Sequence, residues 1–488
     1  MTTPTLPSAL AAEPGRAVVH DASRTYDTEQ LAAALTSAGV AWTEAARELD
    51  DHSRDWWPVS IGWAQHGELA ARPSIVASAA STADVSAVVG ACHAAGVPLT
   101  AQGGRSGVCG GAVPAAGGLA LDMTGLNGIV RLDEASLRVR VAAGTFGPEL
   151  ERSLRERGFT LGHFPQSFDL STVGGWVACR GAGQYSTRYG KIEDMVRGLT
   201  VVLADGTVVE TGGAGPRSAV GPDLTQLFVG SEGTLGVITE VELVVHPIPA
   251  AEGRRACSFD TFGEGLEACR RILARGATPA VLRLYDVAES TRNFQLDRNV
   301  LIVLDEADPG LLDATLAVVD EECASAAPED LSLVDTWLVH RNDVSALAPL
   351  WERGFVVDTM EVAAPWSALE RVHADVVEAM LAVPGTVLAT VHQSHAYLDG
   401  ACLYFTFVGT PADDADGYYR AAWDAGSRAA LDAGASLSHH HGIGRHRASY
   451  VRSALGAGFG VLESLKRALD PLGILNPGVL GLDTQGPR

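Results

Sequence analysis

Three glycine-dense stretches constrain this chain more than any other feature: QGGRSGVCGG at 102–111, STVGGWVACRGAG at 171–183 and GSEGTLG at 230–236. Residues without a side chain let the backbone approach a flat or anionic ligand and present its N–H groups to it. The first stretch lacks the G-K-[ST] of a nucleoside-triphosphate loop and does not open a helix as the dinucleotide fingerprint does. Read alone, it is equally well explained as a structural glycine turn. The second adds the hydroxyls of Ser171 and Thr172 to bare backbone at Gly174, Gly175, Gly181 and Gly183. That combination suits a flat, polar-edged ligand better than a hydrophobic core.

The flanking sequence predicts an α/β setting for these loops. From Ser81 the chain reads as a helix with Ser81 as N-cap, apolar residues at helical spacing and Gly96 as C-cap; a short strand from Val97 to Thr100 then leads into the first glycine loop. Residues 196–212 read as two strands turning through Asp205-Gly206, and the alternation from Val237 to Val245 stops at His246-Pro247-Ile248-Pro249. Beyond, helix-like segments (264–275, 311–325, 366–382, 413–433) alternate with strand-like ones (281–285, 299–304, 386–392, 401–408). This predicts an α+β unit with an antiparallel sheet and helices on one face. The expected division is an N-terminal arm over 1–67, a cofactor domain over 68–248, a cap or substrate domain over 249–435, and a C-terminal active-site loop with a closing helix over 436–488. The arm's Trp56, Trp57 and Trp63 read as packing residues.

Composition narrows the function. The 488 residues suffice for several structural units, and 47% hydrophobic with 19% charged residues indicates a chain that buries a core. A net charge of −23 argues against nucleic acid as a partner, although one pocket of backbone N–H groups can still hold a pyrophosphate. Seven scattered cysteines without a C-x-x-C pair indicate reduced thiols and a cytoplasmic setting. No secretory signal pattern or membrane-spanning run is present, which leaves peripheral contact with a membrane surface compatible with the chain. A homodimer acting on a small-molecule or lipid substrate is expected.

Taken in order, the three loops resemble the FAD-binding domain of the vanillyl-alcohol oxidase and p-cresol methylhydroxylase superfamily, through G-G-x-S at 103–106, S-T-V-G-G at 171–175 and G-S-E-G-T-L-G at 230–236. The resemblance implies an α+β fold: a two-subdomain FAD-binding domain of the p-cresol methylhydroxylase type, followed by an α+β cap domain with an antiparallel sheet. It implies FAD contacts from Thr100, Ala101, Gln102, Gly103, Gly104, Arg105 and Ser106 in the first loop. A second group comprises His163, Gln166, Ser167, Ser171, Thr172, Gly174, Gly175, Cys179, Arg180, Gly181 and Ala182. The third comprises Glu232, Gly233, Thr234, Leu235, Gly236, Val237 and Ile238. No histidine or cysteine is evidently positioned for a covalent flavin bond, so noncovalent FAD is expected.

The run Ser438-His439-His440-His441-Gly442-Ile443-Gly444 distinguishes two branches of the superfamily. The 2-hydroxyacid dehydrogenases typically carry H-G-D-G-N-x-H and E-H-G-I-G, and neither is intact here. If 438–441 is extended, His439 and His441 share one face and His440 points away. From the residues alone, the run serves proton transfer or substrate contact, chelates a metal, or makes structural hydrogen bonds. No nearby carboxylate or cysteine completes a metal set in the sequence, so no metal is expected. The triple histidine is similar to that of the alkyldihydroxyacetonephosphate synthase family, as are T-L-G-H-F-P at 160–165, Y-G-K-I-E-D at 189–194, L-R-L at 282–284 and G-A-C-L-Y-F at 400–405.

By pattern alone Tyr404 is a core tyrosine on an apolar strand, and Arg283 is either a snorkelling residue or an anion holder. The synthase resemblance implies that Tyr404 is the general acid/base, with Arg283 at the active site beside His439, His440 and His441. It further implies that an acyl chain is exchanged for a fatty alcohol with FAD unchanged at the end. The chain departs from the synthase pattern at His392, where an arginine is expected, at Gln166 and Arg105, and in the ending Ile474-Leu475-Asn476-Pro477-Gly478. An FAD-dependent oxidoreductase of a D-2-hydroxyacid or related substrate accounts for these departures. A non-enzymatic flavin-binding module does not account for the histidines and Tyr404.

Overall fold

The structure is a computed structural model that describes residues 17–19, 26, 28–213, 215–344 and 347–482. The helix expected after Ser81 spans Thr82–Ala95; Ser81 Oγ accepts the Asp84 N–H at 3.1 Å, and Gly96 ends it at φ +64°. Val85, Val88, Val89 and Cys92 form its buried stripe. The helix carries the chain between two strands of a four-stranded sheet, Ile75–Ser78 and Leu99–Gln102, which both pair in parallel with Leu119–Asp122. The first glycine loop therefore starts at the carboxyl end of a parallel strand.

A five-stranded antiparallel sheet follows, in the order Ile129–Asp133, Arg138–Ala142, Val237–Val244, Val196–Val202, Val208–Glu210. Asp205-Gly206 makes the expected turn, with Gly206 at φ +87°. Thr239, Val241 and Leu243 are fully buried, while Glu240 and Glu242 project to the other face and pair with Arg140 and with Arg131 and Arg138. The second glycine loop opens the helix Val173–Cys179.

The larger unit is a seven-stranded antiparallel sheet, in the order Ala327–Pro328, Ala251–Phe259, Asn299–Ala307, Val281–Tyr285, Thr386–Tyr397, Gly400–Gly409, Val356–Pro365. Alternate residues Leu282, Leu284, Met360, Val362, Val391, Leu403 and Phe405 pack with the helices Phe262–Ala274, Leu369–Leu381 and Ala415–Asp432 in one apolar core. Period-two alternation sends Arg283, His392, Tyr404, Thr359 and Glu361 to the opposite face. The helix Ser332–His340 packs Val334 and Trp337 against that face, in an apolar cluster with Val281, Tyr285, Phe164 and Tyr185. The expectation of helices on one face thus holds for the main core and misses this helix. Trp57 and Trp63 join the main core, with their indole N–H groups donating to Tyr419 Oη and Asp416. Among the described residues no helix is long and apolar enough to cross a membrane.

Candidate active site

One cavity of about 870 Å³ is walled by the glycine loops on one side and, on the other, by the face of the seven-stranded sheet opposite the main core, with the helix Ser332–His340 beside it. Of the first loop, Ala101, Gln102, Gly103, Gly104, Arg105 and Ser106 line it; of the second, Gln166, Ser167, Ser171, Thr172, Gly174, Gly175, Cys179, Gly181 and Ala182; of the third, Glu232, Gly233, Gly236, Val237 and Ile238. The loops pack so closely that a Cβ at Gly103 would run into Thr172 Oγ1, and one at Gly104 into the Leu170 carbonyl oxygen. Thr172 Oγ1 is buried in this wall without a hydrogen-bond partner. Bare backbone and an unpaired hydroxyl along a long cavity fit the flavin cofactor expected from the loops.

Other expected cofactor residues lie behind the wall, because successive loop residues point to opposite sides. Thr100 Oγ1 lies 3.4 Å from Asn476 Oδ1 and Thr234 Oγ1 donates to the Ser231 carbonyl. Leu235 joins the core beneath the five-stranded sheet, and Arg180, at φ +60°, turns to Glu193. His163 is fully buried against Trp176, and burial pushes its imidazole down to about 3. Two wall residues are also engaged elsewhere in the protein. The Arg105 guanidinium is tied to the Asp51 carbonyl. Glu232 accepts the N–H groups of Ile443 and Gly444 at 2.7 Å each, bracing the third glycine loop against the C-terminal loop, and burial pushes its carboxyl up to about 7.

The candidate side chains form a row across four adjacent strands, with Tyr285 opposite His392, His392 opposite Tyr404 and Tyr404 opposite Glu361. The Tyr285, His392 and Tyr404 rings stack at centroid separations of 5.2 and 4.9 Å. Arg283 Nη2 donates to His392 Nε2 at 2.6 Å, so the His392 proton sits on Nδ1, 3.9 Å from Glu289 Oε2. Burial, then the Arg283 charge, holds His392 well below its ordinary value and therefore neutral. Burial also raises the Tyr404 phenol above its usual range; its hydroxyl donates to Thr359 Oγ1 at 3.0 Å. The histidines meet Tyr404 by ring contact and not by a hydrogen bond, so they do not assist its ionisation directly.

The histidine run is not extended. It bends around Glu361, a fully buried carboxylate whose Oε1 accepts the N–H groups of His439, His440 and His441 at 2.8–3.0 Å and the Ser438 hydroxyl at 2.6 Å. Burial alone would raise the Glu361 carboxyl, but the equally buried Arg447 that donates to Oε2, with His441 and His440, holds it well below the carboxylate range. The bend overturns the expected facing. His439 and His440 point together, with Nδ1 atoms 2.9 Å apart, while His441 turns Nδ1 to within 3.2 Å of Glu361 Oε2. His440 and His441 line the cavity beside Tyr404; His439 sits behind them against His395 and Tyr397. Burial keeps all three imidazoles below their ordinary value, His439 at about 4.

Sequence reading missed Glu361, Arg447, His395 and Arg341. Arg341 also lines the cavity; its guanidinium and that of Arg283 each lie 5.6 Å from the Trp337 ring. Arg283 Nε and Arg341 Nη1 are buried without hydrogen-bond partners, which leaves two guanidinium groups able to grip an anion. A charged residue inside an apolar strand was the one available signal for Glu361.

Residues 73–212 match the model of an FAD binding domain, and residues 248–480 that of the C-terminal domain of FAD linked oxidases. The uncharacterized FAD-linked oxidoreductase YgcU of Escherichia coli (strain K12) is 32% identical over 432 residues, covering 84% of this chain and 89% of that protein. The chain belongs to the FAD-linked oxidase family. FAD is accordingly its cofactor. Within the family, the alkyldihydroxyacetonephosphate synthase of Dictyostelium discoideum is 29% identical over 453 residues, covering 84% of this chain and 74% of that enzyme. A solved alkyldihydroxyacetonephosphate synthase shares the α+β fold at a TM-score of 0.78 and 24% identity, covering 96% of this chain and 89% of that one.

Proposed function

We propose that this FAD-linked oxidase family member is an enzyme of the alkyldihydroxyacetonephosphate synthase type, exchanging the acyl chain of acyl-dihydroxyacetone phosphate for a fatty alcohol. The observation that carries this reading is one cavity joining three parts: the cofactor cradle, the Arg283–His392–Tyr404 row with the histidine bend, and an apolar wall of Ile61, Phe294, Trp337, Leu347 and Leu350 suited to a hydrocarbon chain. The likeness to the Dictyostelium synthase supports it. Bound FAD supplies an electron sink for the charge that develops at C1 of the substrate.

The chain's own residues do the rest. Arg283 and Arg341 hold the phosphate through their unpaired N–H groups. Neutral His441, with Nδ1 turned to Glu361, accepts the C1 proton at Nε2 and later returns it. Protonated Tyr404 donates to the departing carboxylate as the C1–O bond to the fatty acid breaks. It then takes the proton of the alcohol whose oxygen forms the new C1–O bond. Protons balance and no net electrons are transferred.

His392 favours a second reading. A neutral imidazole where the synthase resemblance expects arginine gives less permanent charge for a phosphate, which suits oxidation of a D-2-hydroxyacid. Anaerobic mixing with palmitoyl-dihydroxyacetone phosphate and, separately, with D-2-hydroxyacids tests both. Free fatty acid and, with hexadecanol, an alkyl ether identified by mass are expected without net flavin reduction. Flavin bleaching by a hydroxyacid alone, reversed by an added acceptor, would replace the synthase reading with the second.

A further inference from the structure

The ending Ile474-Leu475-Asn476-Pro477-Gly478, a departure from the synthase pattern in sequence, lies outside the cavity but against the back of its wall. It follows the helix Gly458–Leu469 and is held by the buried pair Lys466 and Asp470. Lys466 Nζ donates to Asp470 Oδ2 at 2.6 Å, to the Leu475 carbonyl at 2.7 Å and to the Thr234 carbonyl in the third glycine loop at 2.8 Å. Asp470 in turn accepts the N–H groups of Ile474 and Leu475 at 3.0 and 2.8 Å. So fixed, the segment pairs in parallel with Leu99, the first residue of the strand that feeds the first glycine loop. Leu99 N–H donates to the Ile474 carbonyl at 2.8 Å, and Asn476 N–H to the Leu99 carbonyl at 2.9 Å.

We infer that Asn476 is a positioning residue for FAD, fixing the spacing of the first and third glycine loops from behind, so that the end of the C-terminal unit completes the cofactor site of the N-terminal one. Its side-chain nitrogen donates at 2.8 Å to the carbonyls of both Gly111 and Glu232, residues of the cavity wall that stand 365 and 244 positions earlier in the chain. Thr100 Oγ1, 3.4 Å from Asn476 Oδ1, engages the remaining end of the amide. A carboxamide is the side-chain group that offers two N–H donors and an acceptor without charge. The backbone here, at φ +42°, is left-handed, which asparagine tolerates better than most residues with a side chain.

Without the amide, the Gly111 and Glu232 carbonyls share a space that holds no donor for either, which costs each its desolvation and pushes the two loops apart. Backbone N–H groups grip an anionic, planar cofactor only while their loops keep their places, so a change of spacing is felt as lost affinity. The inference rests on the glycine-loop wall being the place of FAD, and not on which substrate the enzyme takes. Linkage makes the coupling mutual: a tail that holds the loops for FAD is itself held by bound FAD. Cofactor binding therefore slows amide exchange in the tail, although none of residues 470–478 lines the cavity.

Hydrogen exchange followed by mass spectrometry on the full-length parent, as holoenzyme and after reversible removal of FAD, reads this coupling. Peptides covering 470–478 are expected to exchange at least about tenfold faster without FAD, and the helix Leu369–Leu381, remote from the wall, to change by less than about twofold. Tail protection by FAD no greater than that of this helix would overturn the inference. FAD titrations of variants, followed by flavin fluorescence, give a second reading. Asn476→Asp keeps the size and the left-handed backbone but turns an oxygen toward the two carbonyls. Its Kd for FAD is expected to rise at least about tenfold, and above that of Asn476→Gly, which leaves room for water. A packing role predicts the reverse order, because aspartate fills the space and glycine does not. An Asn476→Asp Kd within about twofold of the parent, or below that of Asn476→Gly, overturns the inference. Gly104→Ala separates this failure from that of the wall. If it weakens FAD binding while Asn476→Asp does not, the wall stands and the role of Asn476 falls; if neither weakens it, the wall falls as well.

Discussion

Replacing Glu361 by glutamine keeps the side-chain shape and removes one charge from a pair in which both partners are fully buried. The amide oxygen can still accept the three backbone N–H groups of the histidine bend, but the NH₂ group then meets the Arg447 guanidinium donor to donor. It also loses the attraction to His441 Nδ1, 3.2 Å away. A guanidinium left buried without its counter-charge costs about 3–5 kcal/mol, and with residues 248–480 melting as one unit, at about 2–4 °C per kcal/mol, the Tm of that unit should fall by about 6–20 °C. Flavin-fluorescence and circular-dichroism melts of the holoenzyme at neutral pH read this directly. Because the bend places His441 beside Tyr404, kcat should fall by at least about 100-fold. The double variant Glu361→Leu with Arg447→Met, which removes both charges, should recover most of the Tm and none of the activity. The pH dependence has a definite sign. Glu361 is held well below 4.5, so its contribution is fully present above the unfolded value and is lost only as pH falls through the depressed folded value. The stability gap between parent and variant should therefore stay constant at neutral pH and narrow only in acid. A Tm within about 2 °C of the parent, or a double variant that retains activity, would refute the reasoning.

Three further outcomes are expected. His163 has no hydrogen-bond partner on either ring nitrogen and stays neutral down to about 3, whereas the unfolded chain protonates near 6.5, so folding loses stability as pH falls between these values. Relative to His163→Phe, the parent should lose about 2 kcal/mol between pH 8 and pH 5 in urea unfolding; an equal gap at both pH values would contradict this. Gly104→Ala pushes a Cβ into the Leu170 carbonyl oxygen and should weaken FAD retention by about tenfold or more, measured by flavin release on dilution. Arg341→Met should raise KM for an anionic substrate by about 10–100-fold with a smaller effect on kcat, and an unchanged KM would remove Arg341 from the anion site.

Local order was legible where short-range chemistry governs it. Ser81 and Gly96 cap their helix as read, Asp205-Gly206 turns its hairpin, and the helices and strands expected between 264 and 433 stand within a few residues of their places. The strands Ala251–Phe259 and Val356–Pro365 were not read, because Arg254, Arg255, Asp358 and Glu361 interrupt their apolar pattern. Each of these charges is matched by a partner distant in sequence: Asp335, Asp320, Tyr419 and Arg447. The glycine loops, the Arg283 and Tyr404 positions and the FAD family were within reach of the sequence alone, since bare backbone and motif order survive without knowledge of what packs where.

What each histidine faces was not. Strand register aligns His392, Tyr404 and Glu361, and a single bulged residue turns His395 toward the histidine bend. A buried carboxylate 78 residues before His439 bends that run out of the extended form its spacing suggested. The sequence by itself determined an FAD-binding domain with its glycine loops, followed by a unit built on an antiparallel sheet. Only the tertiary structure decided which imidazoles stand together, because that depends on pairings between segments whose contact no local pattern encodes.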